Sequence, residues 1–416
     1  MDRSLAIGIT GSLGSGASTL AEALRTHLPF ATFSLSDEIK TVMRKWPREE
    51  HPRRIQLQDM GNALRRSLGT HYLASVALER ANALEQRTDR YAFDGIRHRA
   101  EVEHLRSYFR HFFLIAVQAP YKVRWERLKP AYETRGLSEK DFQEEDLRDQ
   151  IEESPYGQQV QLCVDDADIV INNTDTRQSH AGAVRGLRDK IEPYIDLMTG
   201  EHPRLPGRDE ILITIAYAQA ASSACLKRHV GAVAATQSGQ IISTGFNENA
   251  EPMKACYQQF GYCHKDSTMA GFLERLPEKY CPACASEIDI FAPPWRCARC
   301  GASLKEVYFR DRGMRWCTAM HAEVRALRNA CLASLQDAVL YTTTFPCYNC
   351  AKEVVHAGIK EVVYVEPYPD QDSVWYLEEC GIKIRPFEGV KLRSFHRLFS
   401  PIRERMEQEY DIERAP

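Results

Sequence analysis

The fold of this chain is decided by one stretch, which runs His321-Ala322-Glu323, then the strand-like residues 338–343, then Pro346-Cys347-Tyr348-Asn349-Cys350. One imidazole and two thiolates can hold a zinc ion and leave its fourth position open, as catalytic sites do. Pro346 suits the first turn of a helix, so Cys347 and Cys350 are expected near the positive helix end, which favours thiolates. Glu323 follows the histidine by two residues, where it can transfer protons. The alternatives are a structural Cys/His zinc site and buried cysteines that follow a chance His-Ala-Glu.

Length and composition predict a globular protein of two or three domains. The chain has 416 residues, 44% hydrophobic and 27% charged, with a net charge of −3, and is too long for one typical core. The acidic balance lacks the basic footprint of proteins that grip nucleic-acid backbones. No apolar run approaches the roughly 20 residues of a membrane span, and residues 1–6 do not resemble a signal peptide. Three C-x-x-C pairs among thirteen cysteines indicate metal sites and a reducing cytoplasm.

The first half is predicted to be an α/β, P-loop kinase-like domain with a parallel sheet. A short apolar strand, Leu5–Ile9, leads into a glycine-rich loop and a helical pattern, which is the context a P-loop requires. The loop residues expected to bind ATP or a deoxynucleotide, with or without Mg²⁺, are Gly11, Gly14, Ser15, Gly16, Ala17, Ser18 and Thr19. Ala17 replaces the usual lysine, which argues against kinase activity but leaves backbone cradling of phosphates intact. The alternative is a glycine-rich turn without a ligand.

Further strands support a parallel sheet in this half. They are predicted at 91–97, 112–117 and 168–173, and the helical segments between them are typical of βαβ units. In its P-loop, its Asp94-Gly95-Ile96-Arg97 and its last strand, this half resembles the nucleoside monophosphate and dephospho-coenzyme A kinase group. The resemblance covers roughly residues 1–195.

The second half is predicted to contain a mixed sheet of about five strands with helices on both faces. An amphipathic helix at 209–221 precedes a β-hairpin. The second half of the chain also contains five sequence motifs, at 225–233, 243–247, 321–323, 341–351 and 358–364. Together these motifs resemble the deoxycytidylate deaminase family. The resemblance implies a cytidine-deaminase-like α/β/α fold in which His321, Cys347 and Cys350 bind the catalytic zinc. It also implies that Glu323 moves the protons while the amino group of cytosine is hydrolysed.

The same resemblance suggests substrate contacts. Asn247 is implied as a sugar or base contact, although an asparagine that caps a turn is an equally good interpretation. Lys227 and Arg228 are candidates for phosphate binding, and the alternative is a solvated basic pair. Tyr368 is a candidate for the border of the pocket, where a tyrosine of the core is the alternative.

Residues 250–316 are an insert that is predicted to contain a zinc ribbon. Its two C-x-x-C pairs, separated by twelve residues, are formed by Cys281, Cys284, Cys297 and Cys300. Four thiolates close the coordination sphere of zinc, so this site should fold the insert rather than catalyse. Four further residues could form another metal site or exchange with one ligand of the ribbon, and unbound thiols are the default interpretation; they are Cys256, Cys263, His264 and Cys317.

The predicted domain plan is a P-loop domain at 1–198, a linker at 199–208, a deaminase domain at 209–393 and a charged helix at 394–416. This order resembles the two-domain bacterial deaminases of phage-defence systems, which deplete dCTP and dCMP and are held silent by an inhibitory RNA encoded beside them. The resemblance implies a cytoplasmic homo-oligomer that converts dCTP and/or dCMP to the deoxyuridine nucleotide. The alternatives are a housekeeping dCMP deaminase, a deaminase of tRNA or single-stranded DNA, which the acidic balance disfavours, and a non-catalytic nucleotide-binding regulator.

Overall fold

A computed structural model describes most of the chain as two compact units. The described residues are 4–44, 54–85, 88–150, 152, 154–174, 179–268, 280–281, 284–287, 297, 299–300, 316–331, 335–367 and 371–400. Unit 1 consists of 1–214, 365–367 and 386–416, and unit 2 consists of 215–364 and 368–385. Within the described ranges, none of the helices combines the length and apolar character needed to traverse a bilayer.

Strands and helices alternate through most of the described chain. In chain order the strands are β1 Leu5–Thr10, β2 Ala31–Ser34, β3 Arg90–Asp94, β4 His111–Gln118, β5 Ile169–Asn172, β6 Gly231–Ala235, β7 Ile241–Phe246, β8 Glu248–Asn249, β9 Ala319–Met320, β10 Val339–Thr344, β11 Glu361–Glu366, β12 Lys383–Pro386 and β13 Gly389–Val390. The helices are Ala17–His27, Leu35–Arg44, Arg54–Leu68, Tyr72–Asn82, Arg99–Tyr108, Tyr121–Thr134, Glu139–Gln150, Val160–Asp165, His180–Thr199, Arg208–Ala220, Cys256–Gln259, 264–268, Ala322–Arg328, Tyr348–His356, Gln371–Glu379 and 392–400.

Unit 1 is built on a six-stranded sheet in the order β13-β5-β4-β1-β3-β2. The pairs β1–β3, β1–β4, β2–β3 and β4–β5 are parallel, which confirms the predicted parallel, kinase-like sheet. Every residue of β1 is buried, as expected for an apolar strand covered on both faces. Ile7 and Ile171 lie in one core cluster with Leu24 and Ile191 of the flanking helices. This core fixes the loop that follows β1.

The C-terminal segment completes the sheet of unit 1. β13 pairs antiparallel with β5, and Asn172 Nδ2 donates to the carbonyl group of Phe387 at 2.8 Å. Lys391 Nζ donates to the carbonyl groups of Val164 and Asp165 at 3.0 and 2.8 Å. Residues 386–393, predicted within the deaminase domain, and the first residues of the predicted C-terminal helix thus belong to unit 1, because their hydrogen bonds are made there. Residues 401–416 lie outside the described ranges.

Replacing Lys391 with alanine is expected to lower the free energy of unfolding by about 1–3 kcal/mol, since two carbonyl groups would lose their buried donor. Lys391 is only 2% exposed. Urea unfolding measures the change. The control is Arg393→Ala, because Arg393 is half-exposed and its ion pair with Asp166 should contribute at most about 1 kcal/mol. Equal effects of the two substitutions would contradict this account of the C-terminal segment.

Unit 2 contains a five-stranded sheet in the order β12-β11-β10-β6-β7, as predicted. β6 pairs antiparallel with both β10 and β7. A separate two-stranded ladder joins β8 to β9, and thereby brings together the chain before and after the predicted insert. Because β9 ends at Met320, this ladder also leads directly to the first predicted zinc ligand.

Candidate active site

Two helices of unit 2 present the predicted zinc ligands at their first turns. His321 is the N-cap residue of the helix Ala322–Arg328, and Cys347 is the N-cap residue of the helix Tyr348–His356. Cys350 lies in the first turn of the second helix and is buried. The turn after β10 is held by Ser373, whose Oγ donates to the carbonyl group of Pro346 at 2.7 Å. The predicted strand–turn–helix context of the cysteines is therefore present.

The ligand atoms of this site lie at distances that suit zinc. His321 Nδ1 is 3.5 Å from Cys347 Sγ and 3.2 Å from Cys350 Sγ, and the two Sγ atoms are 3.6 Å apart. A tetrahedral zinc ion with typical Zn–S and Zn–N bonds separates its ligand atoms by about 3.4–3.8 Å. Contact with Cys350, together with His321, lowers the pKa of the Cys347 thiol to about 4. The donor set therefore fits a zinc ion with one open position.

Glu323 lies beside these ligands in the interior of unit 2. Its side chain is 3% exposed and contacts Cys350. Burial raises the pKa of Glu323 above the usual value for a glutamate, and the neighbouring His321 opposes that shift. A raised pKa makes a carboxyl group a better proton acceptor than an ordinary glutamate, which suits a proton carrier.

Gly245 allows the helix Ala322–Arg328 to pack closely on β7. A Cβ atom at Gly245 would lie 2.4 Å from both the carbonyl oxygen of Ala322 and the backbone nitrogen of Ala326. Real side chains do not approach backbone so closely, so any larger residue at 245 must displace the helix that carries Glu323. Ser243 attaches the same helix by donating from Oγ to the carbonyl group of Ala326 at 2.7 Å.

Gly245→Ala is therefore expected to reduce kcat by at least about tenfold, because a displacement near 1 Å at a catalytic group costs up to about 10²-fold. Zinc content should be retained or fall slightly. The control Ser243→Ala removes a helix contact without pushing the helix, and should reduce stability more than kcat. Steady-state kinetics and thermal unfolding of both variants separate the two effects; a Gly245→Ala enzyme with normal kcat would show that the close packing does not position Glu323.

The four cysteines of the predicted zinc ribbon also converge. Their sulfur atoms all lie within 4.8 Å of one another, with 3.6 Å between Sγ of Cys281 and Cys300 and between those of Cys284 and Cys297. The spacing matches the edge of a tetrahedral zinc–thiolate site, which is about 3.8 Å. Four thiols fill the coordination sphere, so this cluster has the donor set of a structural site.

The remaining candidates for a further metal site do not converge in the described part of the chain. Cys256, Cys263, His264 and Cys317 form no group of three ligand atoms within 4.8 Å there. Instead Cys317 contacts His321, and this contact is the main cause that raises the pKa of His321 to about 10. Sequence reasoning missed this contact, although Cys317 precedes His321 by only four residues.

Two of the residues predicted to bind substrate, Asn247 and Lys227, make contacts within the protein. Asn247 Oδ1 accepts from the backbone N–H of Val230 at 2.8 Å, and its Nδ2 donates to the carbonyl group of Arg228 at 2.9 Å. The side chain therefore holds the turn before β6, as in the alternative interpretation. Lys227 forms an ion pair with Asp266. Tyr368 lies outside the described residues, and the binding roles of all four residues stay predictions.

The predicted P-loop residues connect β1 to the helix Ala17–His27. Gly14 and Gly16 have φ angles of 79° and 101°, left-handed values that favour glycine. A Cβ atom at Gly16 would lie 2.2 Å from Asn173 Nδ2, so a side chain does not fit there. The remaining residues of the predicted set lie in the loop or the first turn of the helix; they are Gly11, Ser15, Ala17, Ser18 and Thr19.

Ser18 and Asp94 meet at the carboxyl ends of β1 and β3. Ser18 Oγ donates to Asp94 Oδ2 at 2.9 Å. Asp94 is 7% exposed, and burial raises its pKa. Its second oxygen, Oδ1, is buried and has no hydrogen-bond partner among the described residues.

Two protein families match the two parts of the chain. Residues 206–366 match the cytidine and deoxycytidylate deaminase zinc-binding region, and residues 7–149 match an AAA domain. With the sheets and the Cys/His cluster described above, these matches define a hydrolytic deaminase that acts on a C–N bond and has an N-terminal, P-loop kinase-like domain.

Three similar proteins are named deoxycytidylate deaminase. That of Enterobacteria phage T2 is 30% identical over 184 residues, which cover 42% of this chain and 88% of the phage protein. That of Schizosaccharomyces pombe is 25% identical over 385 residues, which cover 92% and 97% of the two chains. That of Saccharomyces cerevisiae is 28% identical over 220 residues, covering 52% of this chain and only 53% of the yeast protein. The chain belongs to the deoxycytidylate deaminase family.

Proposed function

We propose that the chain hydrolyses deoxycytidine nucleotides, dCTP and/or dCMP, to the deoxyuridine nucleotide and ammonia. The observation that carries this proposal is the meeting of one imidazole and two thiols, all within 3.6 Å, beside the buried Glu323. A purely structural zinc site has no use for a buried carboxyl group with a raised pKa at that place.

The residues of this site suggest how the reaction proceeds. His321, Cys347 and Cys350 would hold a zinc ion, which lowers the pKa of a bound water to about 7 and so supplies a nucleophile at neutral pH. Glu323 carries one proton from the attacking water to N3 of cytosine. As the C4–N4 bond breaks, Glu323 carries the remaining hydroxyl proton to the amino group, which leaves as ammonia while C4 becomes a carbonyl carbon. Burial of Glu323 keeps other water from competing for these protons.

Ammonia release from a panel of substrates tests the proposal. Zinc-replete protein is incubated with dCMP, dCTP, CMP, CTP and cytosine-containing oligonucleotides. The proposal predicts turnover of one or both deoxycytidine nucleotides. Turnover confined to the oligonucleotides would replace it with a nucleic-acid deaminase, and no turnover of any substrate would favour a non-catalytic regulator.

Two cellular roles, phage defence and housekeeping nucleotide synthesis, are compatible with the same deamination chemistry. Depletion of dCTP and dCMP during phage infection is supported by the combination of a lysine-less P-loop with a deaminase. A housekeeping dCMP deaminase is favoured by the match to the S. pombe protein, which extends over 92% of this chain. Deoxycytidine nucleotide pools distinguish the roles when cells carrying wild-type protein or Glu323→Gln are compared before and after infection. A defence role predicts that the deoxycytidine nucleotide pools fall only after infection and only in cells whose protein has Glu323. A housekeeping role predicts that the wild-type protein lowers these pools whether or not the cells are infected.

The P-loop domain is proposed to bind a nucleotide, ATP or a deoxynucleoside triphosphate, with or without Mg²⁺. The glycine backbone of the loop and the Ser18–Asp94 pair support this proposal, because both types of group serve phosphates and their metal ion in P-loop proteins. The proposal includes a cytoplasmic homo-oligomer and an inhibitory small RNA as partner. These parts rest on the resemblance alone and stay predictions.

A further inference from the structure

A cavity of about 200 Å³ lies beside the P-loop in unit 1. The loop residues Ala17 and Ser18 line it, and so do three cationic residues, Lys40, Arg54 and Arg97. Ala17 occupies the position at which a P-loop normally carries its phosphate-binding lysine. The cavity therefore contains cationic side chains from other elements next to the place where the usual cation is missing.

Asp94 provides independent evidence that this cavity receives a ligand. It also lines the cavity, is 93% buried, and has its Oδ1 atom without a hydrogen-bond partner in the described ranges. Leaving a carboxylate oxygen buried and unpaired is costly. That oxygen is consequently expected to meet a bound group, such as a nucleotide with its metal ion.

The two arginines of the cavity are committed to another contact. Arg54 Nη2 lies 2.8 Å from Asp149 Oδ2, and Arg97 donates to the same oxygen. Asp149 is fully buried, so it needs both partners. Two further arginines near the loop, Arg124 and Arg127, donate to carbonyl groups of the loop itself.

Lys40 differs from the two arginines because its ion-pair partner, Asp37, is exposed and not buried. It follows Ser36, another cavity residue, by four positions on the helix Leu35–Arg44, so both lie on one helix face. Lys40 Nζ is 2.9 Å from Asp37 Oδ1, but the two side chains are 43% and 57% exposed. Ion pairs this exposed contribute little, and the long lysine side chain can exchange Asp37 for a phosphate group.

We propose that Lys40 is the phosphate-binding cation of the P-loop site and takes the place of the lysine that Ala17 lacks. The ligand is a nucleoside polyphosphate, whose phosphates contact the loop backbone on one side and Lys40 on the other. This inference rests on the nucleotide site proposed above for the P-loop domain.

Isothermal titration of the full-length protein with ATP–Mg²⁺, and separately with inorganic tripolyphosphate–Mg²⁺, tests it. Lys40→Gln is expected to weaken binding of both ligands by about ten- to a hundredfold, as loss of a charge-assisted phosphate contact does. The matched control is Lys129→Gln, because Lys129 also makes an exposed ion pair within one helix, with Glu133. That variant should bind both ligands as the wild type does.

A compensating substitution distinguishes a direct phosphate contact from a general loss of structure. Adding Ala17→Lys to Lys40→Gln should restore the affinity to within about threefold of the wild type, since it returns a cation to the same cavity. If the wild type binds ATP and Lys40→Gln binds it equally well, Lys40 is not the phosphate-binding cation and the nucleotide site stands. If Lys40→Gln weakens binding but Ala17→Lys fails to rescue it, the replacement of the loop lysine is refuted. If the wild type binds neither ligand, the proposed nucleotide site falls as well.

Discussion

Glu323→Gln is expected to keep both zinc ions predicted per chain and to lose about 10²- to 10⁴-fold in kcat, the usual contribution of general acid–base catalysis. Glutamine has nearly the same shape as glutamate and can fill the same buried space, but its amide group cannot carry a proton from water to the pyrimidine. The effect should therefore appear in kcat, with a much smaller change in substrate affinity. Ammonia release under saturating deoxycytidine nucleotide measures it, together with zinc content by atomic emission.

The matched control is Glu353→Gln, which changes an exposed glutamate on the helix of the zinc cysteines. It removes the same charge from the same unit without touching the site, and should retain nearly full activity. A Glu323→Gln enzyme with more than about half of the wild-type kcat would remove this residue from the proton-transfer role. Loss of zinc in that variant would instead assign the carboxyl group to holding the metal site together.

Cys347→Ser is expected to remove one zinc ion per chain and to reduce activity to below about 1% of the wild type, because the zinc-activated water is lost with the metal. Serine is a poor zinc ligand at neutral pH, since its hydroxyl group does not ionise readily. The contrasting variant is Cys297→Ser, a change in the ribbon cluster of four thiols. That substitution should also remove one zinc ion, but its main effect should be on folding, because structural zinc contributes folding free energy.

The pair of variants separates the two metal sites by different readouts. Zinc content should fall equally in both, activity should fall more in Cys347→Ser, and the midpoint of thermal unfolding should fall more in Cys297→Ser. If Cys347→Ser retained its activity, the catalytic assignment of the His321 cluster would be wrong. If Cys297→Ser retained all its zinc, the ribbon would be an unmetallated cluster of thiols.

The sequence predicted the main features of the site because its chemistry is encoded over short distances. The spacing of the two cysteines predicts that both thiols lie at one helix start, and the structure has Cys347 as the N-cap and Cys350 in the first turn. Pro346 lies before the N-cap and not, as predicted, in the first turn. Both predicted sheets are present for a similar reason, since their central strands β1, β4, β10 and β11 each have an apolar run. His321 is brought to these cysteines by contacts between residues that are distant in sequence. These contacts are the β8–β9 ladder and the packing of Gly245 on the helix Ala322–Arg328. A glycine within a strand gives no indication of which helix will cross it.

The substrate contacts and the C-terminal segment were harder to predict for a physical reason. An asparagine in a loop has the same appearance in sequence whether it binds a sugar or, as Asn247 does here, two backbone groups. Similarly, Gly389–Val390 is too short for any strand pattern, and its pairing with β5 depends on residues more than 200 positions away. In sequence Lys391 is indistinguishable from a surface charge, but in the structure it donates to the carbonyl groups of Val164 and Asp165.

The antiparallel pairing of β13 with β5 also affects the order in which the molecule can mature during synthesis. The P-loop half is translated first, but its edge strand leaves the ribosome only after the whole deaminase half. An emerging polypeptide would therefore hold an incomplete N-terminal sheet until translation has passed residue 390. A premature stop between residues 386 and 389 would release a chain that contains all of unit 2 but lacks β13, the edge strand of the N-terminal sheet.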